Sequence, residues 1–109
     1  MTEQSSKYLT DILMAIELIE DFTKDINSFT DYERDRKTQS AVERQLAIIG
    51  EALNQLRKNE PTILIENDKQ IIAFRNRLIH AYDSLDNSII WAIINRNIKS
   101  LKIEIQNLV

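Results

Sequence analysis

The stretch RNRLIHAYDS, at positions 75–84, holds the chain's only histidine between two arginines and a tyrosine. Arg75 and Arg77 precede His80, and Tyr82 follows it by two positions. Arginine binds phosphoryl oxygens bidentately, and an imidazole exchanges protons near neutral pH. Cations beside an imidazole therefore indicate chemistry on a phosphate group, with His80 moving protons and Arg75 stabilising negative charge.

Helix geometry relates these side chains further. On a helix, Asn76 and His80 share one face at i, i+4 spacing, so Asn76 can orient the imidazole. Arg75 lies about 140° from His80 around an ideal helix, but its long side chain can swing toward a shared cleft. One histidine without clustered carboxylates or thiolates is a poor ligand set, so we expect no metal and no cofactor.

RNA is a substrate class that fits this set of groups. Its 2′-hydroxyl is a built-in nucleophile, so cleavage needs only a base, an acid and stabilisation of the developing charge. One imidazole cannot be neutral and protonated at once, whereas two imidazoles across a two-fold axis can be. The chemistry thus predicts a homodimer, with His80 of each copy at a shared site.

Each residue also has a simpler interpretation. A histidine near a helix end is often a structural hydrogen-bonding group or a partner of the helix dipole. Tyr82 alone would be a half-buried ring with a hydrated hydroxyl, and Arg75 and Arg77 a solvated face. The spacing Arg, four residues, His, one residue, Tyr would arise by chance in roughly one in a few hundred chains of this length.

The composition predicts an all-α fold in a single domain spanning residues 1–109. One glycine, one proline and 43% apolar residues leave little material for hairpin turns. The absence of cysteine excludes disulfides and thiolate metal sites. The N-terminus MTEQSSKYLT lacks signal-peptide features, and no run of about 18 apolar residues exists, so we expect a cytoplasmic protein without a membrane span.

The formal net charge of −3 argues against a general nucleic-acid binder. Residues 1–30 hold six acidic and two basic side chains, whereas residues 31–58 hold five and six, and residues 59–109 hold six of each. The region after residue 30 could therefore face a polyanion. Four basic residues, Arg34, Arg36, Lys37 and Arg44, could extend a phosphate track, but interleaved acidic residues make surface salt bridges at least as good an explanation.

Apolar spacing predicts four helices that form one antiparallel bundle. The first covers residues 5–29, and Thr30 or Asp31 is a plausible N-cap for the second. Gly50 lies in the apolar seam of the second helix, which predicts close approach of another backbone there. Pro61 ends that helix, and Asp68 is the expected cap of the third. The last helix runs from about Asn87 to Val109, with Trp91 as its largest anchor.

The motif RNRLIHAY resembles the Arg-x4-His-x-Tyr motif of HEPN domains, in particular the HepT-like toxin subfamily. The resemblance extends to IIGEAL (48–53), to DRKTQSAVERQL (35–46) and to the aromatic residue of SIIWAII, and it covers nearly the whole chain. Two departures are the segment PTILIEN, where many relatives carry a tryptophan, and INRNIKSLK, where many carry a proline. Both look structural.

This resemblance implies a metal-independent endoribonuclease toxin that cleaves transfer or messenger RNA. Arg75, His80 and Tyr82 would face their symmetry mates across the dimer cleft, with Asn76 and Arg77 in support. Members of the subfamily are often encoded beside a minimal nucleotidyltransferase antitoxin. That partner is thought to inactivate the toxin by transferring AMP to the motif tyrosine, here Tyr82.

Two other hypotheses stay open at this point. A non-catalytic HEPN-like bundle could bind a nucleotidyltransferase or a nucleotide without cutting RNA, although such a module has no need of an imidazole flanked by cations. A generic helical dimerisation module, with His80 as a cap, explains the bundle but not the cluster of residues 75–82.

Overall fold

A computed structural model describes residues 1–81 and 85–109, and all the regular secondary structure in these ranges is helical. The elements in chain order are α1 (Glu3–Thr23), α2 (Phe29–Arg34), α3 (Arg36–Asn59), α4 (Asp68–His80), α5 (Asn87–Ala92), a π-helical turn (Ile93–Asn97) and α6 (Ile98–Leu108). The last three follow one another directly and form one long helical segment. The predicted all-α fold is confirmed.

Contacts between helix ends show that neighbouring helices run antiparallel. The backbone N–H of Thr2 donates to Glu60 at 3.0 Å, which sets the beginning of α1 beside the end of α3. The guanidinium of Arg57 lies 3.3 Å from the Asp68 carboxylate, which sets the end of α3 beside the beginning of α4. α1, α3 and α4 therefore pack as successive antiparallel neighbours.

Most of the apolar residues at the predicted helical spacing are buried as one core, whereas Phe22, Ile26 and Leu108 are only partly buried. The periodic positions of the four long helical segments that are less than a tenth exposed are Ile12, Ile16, Ile19, Val42, Leu46, Ile49, Leu53, Leu56, Ile71, Phe74, Leu78, Ile90, Ile94, Ile98, Leu101 and Ile105. Burial of such side chains stabilises the fold by about 25 cal/mol per Å² of apolar surface.

No helix of the described ranges is long and apolar enough to cross a membrane.

The predicted extent of the first helix was wrong, because the chain turns six residues earlier. α1 ends at Thr23, whose hydroxyl donates to the Ile19 carbonyl at 2.7 Å. Ile26 and Phe29 therefore lie outside α1, and Phe29 is 37% exposed. The short helix α2 begins after Ser28, whose hydroxyl accepts a hydrogen bond from a backbone N–H of the first turn.

The predicted cap of the second long helix, Thr30 or Asp31, was also wrong. The N-cap of α3 is Asp35, which accepts hydrogen bonds from the Thr38 backbone N–H at 3.0 Å and from the Thr38 hydroxyl at 2.7 Å. These bonds satisfy a free helix donor and lower the pKa of the Asp35 carboxyl. Two capping residues close together thus give two helix starts where the periodicity predicts one.

Asp68 is not the cap of α4 but its first residue. Asn67 occupies the cap position without a side-chain hydrogen bond to the helix. Asp68 is only 6% exposed, and its carboxylate pairs with Arg57. The carboxylate of Asp68 therefore forms a tertiary ion pair with Arg57 and does not cap the helix.

The last segment begins and ends close to the predicted positions 87 and 109. Asp86 caps α5 by accepting the Ser88 backbone N–H at 2.8 Å. Trp91 is only partly buried and contacts the ring of Tyr32 at 5.4 Å between centroids. Tyr32, which is fully buried, is therefore the more deeply buried aromatic residue of this part of the core.

Candidate functional site

The last two turns of α4 carry the residues predicted to form the site. Arg75 is half-buried, whereas Asn76, Arg77 and His80 are exposed, and His80 is the final residue of the helix. Tyr82, the fifth predicted residue, lies outside the described residues. The four described residues therefore lie at the same helix end but differ in their exposure to solvent.

Arg75 is held in place by two acceptors. One of its terminal nitrogens, Nη2, lies 2.6 Å from Oε2 of Glu51 on α3, and the other, Nη1, donates to the amide oxygen of Asn76 at 3.0 Å. The Nε atom is buried without a hydrogen-bond partner. The guanidinium thus has a fixed direction, and its terminal nitrogens make no further hydrogen bond to the described residues.

Glu51 is a site residue that the sequence reasoning did not identify. It belongs to the IIGEAL segment and lies 24 positions from its partner, so no helical spacing connects the two. The available signal was its position directly after Gly50, because a residue about 100° around the helix from a close contact can lie at the edge of that contact.

Gly50 permits the close approach of α4, as the sequence predicted. A Cβ atom at position 50 would overlap Cβ of Arg75, would lie 2.8 Å from its Cγ and 3.3 Å from the Ile71 carbonyl oxygen. The stem of Arg75 therefore runs over the glycine, and its head reaches the next residue of α3, Glu51. One small residue sets both the spacing of the two helices and the position of the guanidinium.

The predicted pairing of Asn76 with His80 is not observed. The Asn76 amide oxygen accepts from Arg75, and no hydrogen bond joins Asn76 to His80 in the part of the chain that the structure describes. Asn76 instead turns its amide oxygen to the Arg75 guanidinium, which lies between Asn76 and Glu51 of α3. His80 is consequently exposed on the outer face of α4, open to a partner from outside the chain.

A cleft of about 340 Å³ lies along the Arg75 side of α4. α1 contributes Tyr8 and Asp11 to its walls, α3 contributes Arg44 and Glu51, and α4 contributes Arg75 and Ile79. A second cleft of about 230 Å³ shares Arg44 and Ile79 and continues toward Ser40 and Glu43. The two form one furrow between α3 and the end of α4.

Four basic side chains of α2 and α3 are free of salt bridges within the described ranges. Arg34, Arg36, Lys37 and Arg44 are exposed, and none has an acidic partner within 4 Å among the described residues. The surface salt bridges that the interleaved charges suggested are therefore absent from the described ranges. Among the residues that the structure describes, Arg44 is thus the unpaired cation of the furrow, whose lining also holds the Arg75–Glu51 pair and the carboxyl groups of Asp11 and Glu43.

Glu43 brings a perturbed carboxyl to the same furrow. Burial raises the pKa of this side chain, because the charged form loses hydration against α4. Glu43 also lies close enough to the buried hydroxyl of Tyr32 for its charge to raise the pKa of that phenol further, after the larger effect of burial. No three His, Asp or Glu side chains of the described ranges stand together as a metal site.

The all-helical fold is that of the HEPN class, which the sequence resemblance implies. The chain belongs to the Ribonuclease HepT-like family, whose model matches residues 12–108. It is 42% identical over 106 residues to a Thermococcus cleftensis protein named "Probable ribonuclease HepT", covering 94% of this chain and 93% of that one.

Two further relatives are similar over nearly their whole length. A Methanocaldococcus jannaschii protein named "Putative RNase MJ0127" is 36% identical, with 94% of this chain and 84% of the relative covered. A Caldanaerobacter subterraneus protein named "Putative RNase TTE0752" is 34% identical, with 93% and 90% covered. No solved structure matches the chain at comparable significance.

Proposed function

We propose that the chain is a metal-independent endoribonuclease and the toxin of a toxin–antitoxin pair, acting on RNA in the cytoplasm as one HEPN-like domain, residues 1–109. The observation that carries the proposal is the arrangement on α4. Arg75 is fixed by Glu51 and Asn76, while His80 five residues on is exposed. A pre-oriented cation and an open imidazole on one helix end suit phosphodiester cleavage. The names of the relatives in the family support RNA as the substrate.

The cleavage step needs no group beyond those of RNA and protein. A neutral imidazole of His80 takes the proton of the 2′-hydroxyl, and the 2′-oxygen forms a bond to the adjacent phosphorus. The bond from phosphorus to the 5′-oxygen breaks, and a protonated imidazole gives that oxygen its proton. The products carry a 2′,3′-cyclic phosphate and a 5′-hydroxyl. Arg75 stabilises the charge that grows on the phosphoryl oxygens.

The need for a neutral and a protonated imidazole makes a homodimer part of the proposal. His80 is the only histidine of the chain, so the second imidazole comes from a second copy. The exposed outer face of α4, which includes Asn76 and His80, is the surface through which two copies would meet. A stable contact should bury at least about 1,000 Å² in total.

Substrate would follow the furrow from this interface. Arg44 lies in both clefts, and Arg75 lies in the larger one. Arg34, Arg36 and Lys37 lie exposed near the start of the same helix, α3, without acidic partners in the described ranges. Each phosphate contact with such a cation releases counterions, so binding should weaken steeply with salt.

Control by an antitoxin completes the proposal. A cognate minimal nucleotidyltransferase would transfer AMP to Tyr82, with the phenol oxygen attacking the α-phosphorus of ATP and pyrophosphate leaving. Tyr82 lies two residues beyond the exposed His80, so an AMP group there would place negative charge and an adenine where RNA must lie. The attached phosphate would then pair with Arg77, because Arg75 lies on the opposite side of α4 and is held by Glu51.

The direct test is incubation of the purified protein with total cellular RNA in excess EDTA. We expect cleavage by the wild type and none by His80→Ala, with both proteins equally helical. Sedimentation of the same samples should give a dimer at micromolar concentration. Cleavage by a monomer would contradict the shared site, and a dimer that cuts no RNA would favour a non-catalytic module that binds a nucleotidyltransferase or a nucleotide.

A further inference from the structure

A groove on the side of α4 opposite Arg75 has the features of a binding site, and of its lining residues the proposed function uses only Arg77. It lies between α4 and the last helical segment and has a volume of about 450 Å³. Sites for small molecules typically measure about 300–1,000 Å³. Phe74 and Ile93 form an apolar floor, and Ile89, 38% exposed, stands at the rim.

Two amide side chains line this groove and bridge its two helical walls. The Asn97 side-chain nitrogen donates to the Gln70 side-chain oxygen at 2.7 Å. In the part of the chain that the structure describes, the Gln70 amide nitrogen and the Asn97 amide oxygen have no partner. They therefore offer one donor and one acceptor side by side, which is the pattern that the polar edge of a nucleobase can satisfy.

The backbone that carries Asn97 is itself irregular. Residues Ile93–Asn97 form a π-helical turn, in which the Ile98 backbone N–H donates to the Ile93 carbonyl. π-helical turns are rare and occur frequently at functional sites. The wider turn belongs to the wall of the groove, because Ile93 and Asn97 both line it.

Arg77 supplies a cation to the same groove. Among the described residues it has no acidic partner within 4 Å. Asp86 lies near enough to feel its charge, but that carboxylate is engaged as the cap of α5, where it accepts from Ser88. The guanidinium is thus free to bind a phosphate.

The groove and His80 lie along the same side of α4. Gln70, Ala73, Arg77 and His80 fall within about 80° of one another around an ideal helix. From Ala73 to His80 the distance along the helix axis is about 10 Å, which a short stretch of nucleotide chain can span. A ligand in the groove would therefore approach the imidazole from the side opposite the Arg75 furrow.

We infer that this groove is a nucleobase subsite, which holds a base of the RNA next to the cleaved phosphodiester. The base lies on Phe74 and Ile93, its polar edge meets the Gln70–Asn97 amide pair, and the phosphate attached to its nucleoside contacts Arg77. This inference rests on the proposed function. Because the groove is set to one side of the outer face of α4, a two-fold contact through Asn76 and His80 leaves it open.

The variant Ala92→Leu tests the subsite by filling the groove. Ala92 lines the groove, is exposed and lies on α5, and leucine keeps its helix propensity. Ser100→Leu adds the same side chain at an exposed position of α6 outside the groove and is the matched control. On a defined single-stranded RNA, we expect Ala92→Leu to lower kcat/KM about tenfold or more and Ser100→Leu less than twofold.

RNA with a single abasic position identifies the base. Removing the base that occupies the groove should lower kcat/KM of the wild type about tenfold. It should lower kcat/KM of Ala92→Leu no further. If Ala92→Leu cuts every substrate as the wild type does, the subsite is wrong while the ribonuclease proposal stands. If Ala92→Leu is monomeric while the wild type and Ser100→Leu are dimeric, the groove is part of the dimer interface and is filled by the second copy. That result also overturns the inference.

A binding measurement separates this inference from the proposed function. His80→Ala, which should not cut, is titrated with a five-nucleotide RNA of mixed sequence and followed by backbone amide shifts. We expect shifts at residues 89–93 and 97 that Ala92→Leu removes and Ser100→Leu keeps. If the signals of His80→Ala shift but the wild type cuts no RNA, the base site stands and the nuclease proposal is rejected. If the signals of those residues do not move, the base site itself is rejected.

Discussion

Arg75 packs the beginning of its side chain directly over Gly50, in the space that any other residue at position 50 would need. The neighbouring Ile71 carbonyl oxygen lies 3.3 Å from the position of a Cβ at residue 50. The crossing of α3 and α4 is consequently set by the same contact that aims the guanidinium at Glu51. Helix packing and the geometry of the site are therefore coupled at a single residue.

Gly50→Ala should destabilise the protein although alanine is the better helix former. Moving the helices apart should cost up to about 3 kcal/mol and the better helix propensity should return about 1 kcal/mol, so we expect a net loss of about 1–2 kcal/mol in the free energy of unfolding. RNA cleavage should fall with it, because Arg75 is displaced. Urea denaturation measures the loss, and Lys58→Ala, at an exposed position of α3, is the control. Unchanged stability would contradict the close contact.

Glu51→Ala should reduce cleavage more than it reduces stability. Glu51 is 43% exposed and Arg75 is 23% exposed, so the ion pair should contribute at most about 1 kcal/mol to folding. Loss of the acceptor leaves the guanidinium free to rotate, and we expect kcat to fall severalfold with KM little changed. Glu51→Gln, which retains an acceptor oxygen, should recover part of the rate. Faster cleavage by Glu51→Ala would mean that the carboxylate competes with RNA for Arg75.

The sequence predicted the long helices and the core well, because apolar residues at helical spacing must be buried together. It also predicted that Gly50 marks a close helix crossing, since a glycine inside a helix costs about 1 kcal/mol relative to alanine and close approach of another backbone explains it. It missed α2 and the cap at Asp35, because several side chains between residues 28 and 35 can cap a helix and periodicity does not choose among them. It missed the roles of Asp68 and Glu51, because their partners Arg57 and Arg75 are brought near only by tertiary packing.

Cleavage should be bell-shaped in pH. The reaction requires one neutral and one protonated imidazole, so acid removes the base and alkali removes the acid. Glu43 is the other proton donor near the furrow, because burial raises the pKa of its carboxyl. Glu43→Gln should leave both limbs of the profile of log(kcat/KM) against pH in place. A limb that disappears in this variant would make Glu43 the acid or base and would remove the need for a second copy.

The same substitution should stabilise the fold at neutral pH. A carboxyl whose pKa is raised in the folded state favours folding fully below its unfolded pKa, and this contribution is lost as pH rises through the folded pKa. Glutamine at position 43 carries no charge to bury, so the gain in the free energy of unfolding should be present at pH 7 and absent at pH 4. Thermal unfolding of wild type and Glu43→Gln at the two pH values measures it, and a gain that is equal at both would contradict the burial of Glu43.

Tyr82→Phe should separate RNA cleavage from its inhibition by the antitoxin. Tyr82 has no required proton-transfer role, so the variant should keep much of the RNase activity and lose neutralisation by the nucleotidyltransferase. Co-expression followed by intact-mass measurement should show adenylyl adducts on the wild type and none on Tyr82→Phe. Tyr8→Phe, which removes a phenol from α1, is the control and should keep the adducts. Adducts that persist on Tyr82→Phe would place the modification elsewhere.

The measurement closest to the central claim is cleavage of one defined RNA, in EDTA, with its product ends identified. The wild type should produce a 2′,3′-cyclic phosphate, His80→Ala should produce nothing above background, and the same RNA with a 2′-deoxy sugar at the cleaved nucleotide should resist the wild type. Efficient cutting of the deoxy substrate, or equal cutting by His80→Ala, would contradict a reaction in which His80 activates the 2′-hydroxyl.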